Sequence, residues 1–127
     1  MKAILRQVRI SCRKAALVAD LVRNKKVEDA INILRFTPKK AAPIIKKVIE
    51  AAVANAENNF KQNKENLFVK EIVVNEGLTM KRGIHISRGR SHPLLKKTAH
   101  IAVKLESKGG SKATKDEPKV KKIKSKK

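Results

Sequence analysis

The chain contains no tryptophan and no tyrosine, and its three phenylalanines are Phe36, Phe60 and Phe68. A protein that binds single strands by stacking bases on aromatic platforms needs more flat side chains than this. There is one cysteine, Cys12, so no intramolecular disulfide can form, which fits a reducing compartment. No apolar run approaches the length needed to span a bilayer. Lys2, Arg6 and Arg9 leave no apolar core near the start, so no secretory signal is expected. The most informative absence lies later: from Gly77 to Leu105 there is no acidic residue.

Positive charge is abundant. Thirty-two Lys and Arg stand against 11 Asp and Glu, a formal net charge of +21 over 127 residues. From Lys108 onward nine lysines and two acids contribute +7, leaving 23 bases and 9 acids, or +14, in Met1 to Ser107. The part able to fold is therefore strongly basic in its own right. Such a field attracts phosphate backbones and releases counterions on binding, so affinity should fall steeply with salt.

Hydrophobic spacing divides the chain. The length suits one domain. Three helices are expected in the first half. Ser11 suits an N-cap, Ala15, Val18, Ala19 and Val22 recur at helical spacing, and Leu17 and Leu21 widen that stripe. Asn24, tolerant of left-handed backbone, is placed to stop this helix. Val27, Ala30, Ile31 and Leu34 form one face of a second helix, with Glu28 and Asp29 in its first turn. The third runs to about Phe60, with Ala41, Ile45, Val48, Ala52 and Ala56 in line and Ile44, Ile49 and Val53 beside them. Its start is open. Thr37-Pro38 resembles a cap followed by proline at the first helical position. An interior Pro43 would then cost roughly 3 kcal/mol or kink the helix, so either a kink near Ala42 or a start there is expected.

The period then changes. Phe68 to Asn75 is rich in β-branched residues, and His100 to Glu106 alternates, with Ile101, Val103 and Leu105 on one face. The acid-free segment lies between, punctuated by Gly83, Gly89 and Pro93, with Ile84 and Ile86 alternating around His85. Joined strands of this kind make an antiparallel hairpin, about 78–100. With Ile4, Val8 and Ile10 as an N-terminal strand, the expected fold is α+β: three helices packed on a small antiparallel sheet, with a long protruding hairpin. Residues 1–106 would form the domain, and the Lys-rich segment 107–127 a disordered basic tail. Between Lys81 and Lys97 the apolar side chains are mainly Ile84, Ile86, Leu94 and Leu95, too few to hold a ribbon rigid in water. Such a ribbon needs a partner.

Enzyme chemistry has little to work with. His85, His92 and His100 are spaced by seven and eight residues without a second cysteine or clustered carboxylates. No metal, cofactor or catalytic residue is expected. The pair Gly83 and Gly89 lacks the Gly-Lys-Ser/Thr ending of a phosphate-cradling loop and is read as turn glycine that also lets backbone approach nucleic acid closely. Recognition should run through phosphate, sugar hydroxyl and shape, with Arg82, Arg88 and Arg90 making forked contacts beside Lys81, Lys96 and Lys97. Arg13, Lys14, Lys25, Lys26, Lys39 and Lys40 cluster at helix ends, where they either complement helix dipoles or touch phosphate.

Several motifs resemble bacterial large-subunit ribosomal protein twenty-two from Met1 to about Glu106. Val18-Ala19-Asp20-Leu21-Val22-Arg23 leading to Lys25-Lys26-Val27 resembles that family's first helix and turn. Lys39-Lys40-Ala41-Ala42 and Asn55-Ala56-Glu57-Asn58-Asn59 are similar to the ends of its long helix. Glu76-Gly77-Leu78-Thr79-Met80-Lys81-Arg82 resembles the start of its hairpin, and Lys81, Ser87, Gly89, Arg90, His100, Ile101, Val103 and Leu105 follow its signature in order. One position departs, since Ile86 stands where the family usually carries Arg or His.

The resemblance implies a non-enzymatic, cytoplasmic structural protein of the ribosome that binds large-subunit (23S-type) rRNA, supports assembly and needs no membrane. Its rRNA contacts would include Lys81, Arg82, His85, Arg88, Gly89, Arg90, His92, Lys96, Lys97 and His100, with the helix-end cations above. It also implies that a hairpin including Met80, Lys81, Arg82, Gly83, Ile86, Ser87, Arg88, Gly89 and Arg90 lines the nascent-peptide tunnel beside ribosomal protein four. The alternative from charge alone is a free-standing basic nucleic-acid chaperone or nucleoid protein.

Overall fold

The alternation that predicts a strand over His100 to Glu106 belongs to the centre of the core sheet. The computed structural model describes residues 1–107; of the expected tail, 107–127, Ser107 instead ends the last strand, and 108–127 lie outside the described residues. In chain order the described elements are β1 (Lys2–Val8), α1 (Cys12–Val22), α2 (Val27–Phe36), α3 (Ala41–Phe60), a 3-10 turn at Lys64–Asn66, β2 (Leu67–Glu76), β3 (Met80–His85), β4 (Ser91–Lys96) and β5 (Ala99–Ser107). Strands β1, β5 and β2 form an antiparallel sheet in that order, and β3 and β4 form a separate antiparallel ribbon. This is the expected α+β plan.

Ala99, Ile101, Val103 and Leu105 of β5 are buried, facing the helices. The matching side of β2 is Leu67, Val69 and Ile72, a spacing that breaks strict alternation. A bulge between Val69 and Glu71 accounts for it: the extra residue lets Lys70 and Glu71 both face outward before Ile72 returns to the core. Two cross-strand ion pairs then lie on the outer face, Glu71–Lys104 at 2.6 Å and Lys70–Glu106. The Lys104 ammonium, by hydrogen bond and then by charge, holds the Glu71 carboxyl below its ordinary value.

The N-terminal strand forms and includes Ile4 and Val8, but it ends before Ile10. Ile10 is buried beyond its end, and Ile4 is exposed, while Ala3 and Val8, opposite Val103 and Ala99, pack against the core and Leu5, opposite Ile101, stays exposed. Between Leu5 and Val8 a second bulge inserts one residue, with Gln7 at φ +55°. Without it Val8 would point away from the core.

The helices bury the predicted stripes, with one correction. Ala15, Val18, Ala19 and Val22 are buried in α1, but Leu17 is 72% exposed and Leu21 47%. They sit four apart on a neighbouring line of the helix and cover no core. Helix α3 starts at Ala41, in keeping with the later of the two starts the sequence left open, so Pro43 falls in its first turn, where a missing N–H costs no helical bond. Thr37 does not cap this helix; its Oγ1 donates to Ile33 O at 2.7 Å and closes α2 instead. Ser11 occupies the N-cap position of α1 in extended backbone without a side-chain cap bond. Asn24 takes the left-handed conformation expected of it, φ +61°, and its N–H reaches Val69 O at 2.9 Å. That bond, with Val69 N–H to Lys25 O at 2.9 Å, fastens the α1–α2 turn to the free edge of β2.

Candidate nucleic-acid interface

Strands β3 and β4 pair from Met80 opposite Lys96 to His85 opposite Ser91. Directly opposed residues share a face, and like charges there would repel. This ribbon avoids that. Lys81 faces Leu95, Arg82 faces Leu94, Lys96 faces Met80, and His92 faces Ile84. The few apolar residues thus separate the cations, and Lys81 to Leu95 are exposed throughout. Pro93, opposite Gly83, is tolerated because both strands of a two-stranded ribbon are edges.

At the tip, Ile86 N–H donates to Arg90 O at 2.8 Å across Ser87, Arg88 and Gly89. Arg88 and Gly89 both have positive φ, +60° and +69°. Gly89 is therefore the expected turn glycine. Gly83 is not: it lies within β3, and no atom stands within 4 Å of where its Cβ would be.

The ribbon joins the core sheet through a tight crossing. Gly77 N–H donates to Thr98 O at 2.9 Å, and Thr98 Oγ1 donates to Leu78 O at 2.7 Å. On the far side, Arg9 donates to Lys97 O at 2.7 Å and Gln7 N–H to His100 Nδ1 at 3.1 Å. His100 thus uses one ring nitrogen to hold the β1 bulge, the hydrogen-bonding role expected of a histidine beside a strand; its partner was not evident from spacing.

Beside this crossing is an open groove of about 810 Å³ between α1, the α2–α3 turn and the base of the ribbon. Its lining carries Arg9, Lys14, Lys39, Lys40 and Lys97 and no carboxylate, over apolar residues that include Leu17, Leu21, Pro38 and Leu95. The predicted cations Lys14, Lys39 and Lys40 are thereby brought to the foot of the ribbon with Lys97. Arg13 is exposed on α1 outside this lining, and Lys25 and Lys26 project from the turn fastened to β2. Arg9 was missed. A signal for it was available: Met1 to Ala19 and Ala30 to Ile49 are also free of acidic residues. Every lining residue except Leu21 comes from one of the three acid-free runs. The fold gathers parts of these runs at one place, where among the described residues Lys97 alone of the lining cations has a carboxylate partner, Glu76.

Few of these cations are neutralised internally. Among the described residues, Lys97 approaches Glu76 at 3.6 Å in an exposed pair of little energetic weight. No ion pair involves Arg9, Lys14, Lys39, Lys40, Lys81, Arg82, Arg88 or Arg90 among the same residues. Cys12 donates its thiol to Val74 O at 3.2 Å, a structural contact. Among the described residues there is no cluster of three or more His, Cys, Asp or Glu able to hold a metal, and no helix is long and apolar enough to cross a membrane.

An exposed, carboxylate-free ribbon set on a helix-backed antiparallel sheet agrees with the resemblance drawn from the motifs. A family model described as Ribosomal protein L22p/L17e matches residues 3–106, and the chain belongs to that family of large-subunit ribosomal proteins.

Proposed function

We propose that this protein is a non-enzymatic structural constituent of the large ribosomal subunit that binds large-subunit rRNA through phosphate and shape contacts. The observation that carries the reading is the ribbon itself. It is exposed on both faces, each strand cation stands opposite an uncharged residue, and no acid interrupts it from Gly77 to Leu105. In water these charges repel one another and little apolar surface opposes them. Packed phosphates reverse the balance, because each neutralised phosphate releases counterions and removes repulsion along the ribbon.

Lys81, Arg82, Arg88, Arg90, Lys96 and Lys97 neutralise phosphate along this extension. The helix-end cations dock the globular part, which supports subunit assembly. The ribbon reaches inward through rRNA, and its tip helps line the nascent-peptide tunnel near ribosomal protein four. These finer roles rest on the family's membership and on the ribbon's shape and charge. The working location is the cytoplasmic ribosome.

The test is a salt titration of the full chain on large-subunit rRNA fragments, followed by sedimentation of salt-washed ribosomes. Steeply falling affinity, with the protein retained on the subunit in moderate salt, is expected. A flat salt response would sink the electrostatic account, and stoichiometric release with equal affinity for duplex DNA would favour a free-standing chaperone.

A further inference from the structure

The groove at the foot of the ribbon has a composition that phosphate neutralisation alone does not require. A surface that only tracks a phosphate backbone needs cations and hydration, and gains nothing from exposed leucines. Here Leu17 is 72% exposed and Leu21 47%, and Leu95 of the ribbon joins them in the lining. Cations from three separated segments stand around this apolar floor, with no carboxylate in the lining among the described residues. The volume, about 810 Å³, falls in the range of small-ligand sites, roughly 300–1,000 Å³.

We propose that this groove receives a single unstacked nucleotide of RNA, its base lying on Leu17, Leu21 and Pro38 and its flanking phosphates held by Arg9, Lys14 and Lys39. A nucleotide joins what the groove offers: a flat face of low polarity flanked by negative charge. A duplex presents only its charged backbone to a concave surface of this kind, so the apolar floor selects a bulged or looped residue. Charge complementarity argues against a basic or neutral occupant. Continuity with the ribbon favours RNA over an acidic helix, since Leu95 belongs to both surfaces and Lys97 directly follows the second ribbon strand. The inference rests on the rRNA-binding reading and adds to it a discriminating subsite on the globular part.

The experiment compares the full-length protein on two RNA hairpins, identical except that one carries a single-nucleotide bulge. The bulged RNA should bind about tenfold more tightly, the order expected from covering part of two exposed leucine side chains. The charge-neutral variant Leu17→Ser/Leu21→Ser should lose that preference while keeping the salt slope, and the exposure of both side chains means that it should melt with the wild type. A photo-crosslinking thiouridine at the bulge should attach within α1 or the α2–α3 turn. Equal affinity for the two RNAs, a preference that survives Leu17→Ser/Leu21→Ser, or crosslinks confined to the ribbon would each overturn the proposal. So would methyl resonances of Leu17 and Leu21 that move with an acidic amphipathic peptide but not with bulged RNA. A flat salt response with both RNAs would overturn the electrostatic reading itself, which separates the two failures.

Discussion

The N–H of Gly77 meets the carbonyl of Thr98 at 2.9 Å, and a Cβ on residue 77 would stand 2.5 Å from Thr98 Oγ1. The hydroxyl cannot simply swing aside, because Thr98 is buried and bonded to Leu78 O at 2.7 Å. This is where the core sheet hands over to the ribbon. Gly77→Ala should therefore destabilise the protein by about 1–3 kcal/mol through overpacking. Chemical denaturation measures it, and an unchanged midpoint would refute the close-approach account.

Thr98→Ala should cost about 1 kcal/mol by itself, since Leu78 O loses its donor. In the Gly77→Ala background it should cost less, because the obstructing hydroxyl is gone. The two substitutions then form a cycle with a coupling of about 0.5–3 kcal/mol. Strict additivity would mean that the two residues do not share this crossing.

Arg82 and Arg90 are exposed on the ribbon and make no ion pair among the described residues. Arg82→Gln and Arg90→Gln should weaken rRNA binding and each lower the magnitude of the logarithmic salt slope by about 1. Melting temperature should not change. A stability loss without a change in slope would assign these arginines to folding instead.

Glu71 has a depressed pKa because Lys104 bonds to its ionised form. A lowered folded-state value contributes stability above the unfolded value that is lost as pH falls through the folded one. Glu71→Gln should accordingly be slightly less stable than the wild type at neutral pH and converge with it in acid. Denaturation curves across that acid range check the sign, and a gap that widens toward low pH would contradict it.

Gly89 has φ +69° with open space where its Cβ would be, so Gly89→Ala meets only backbone strain, about 1 kcal/mol. The ribbon tip should fray locally rather than the domain unfold. Amide exchange of Ile86, whose N–H bonds to Arg90 O, should quicken while that of Val103 in β5 stays slow.

Much of the architecture was legible because its signals are local. Helical spacing in Ala15, Val18, Ala19 and Val22, and alternation in Ile101, Val103 and Leu105, are direct consequences of helix and strand geometry. Asn24 announced a left-handed helix end and Gly89 a turn for the same reason, whereas Gly83, read the same way, lies within a strand. Leu17 misled because an apolar residue beside a core stripe can equally face outward. Ile4 misled because a one-residue bulge reverses which positions face inward, and a bulge is chosen by partner strands rather than by its own segment.

By itself the amino-acid sequence determined the elements, the strong positive charge and the acid-free stretch from Gly77 to Leu105. It also settled that the ribbon would be poor in apolar side chains, because composition and period travel with the chain. Only the tertiary structure decided that Arg9, Lys14, Lys39 and Lys97 stand around one groove, and that Thr98 locks its foot. Those positions are far apart along the chain. What joins them is the pairing of β1 with β5 and the packing of α1 and α3 beneath it, set by burial of a shared core rather than by any local pattern.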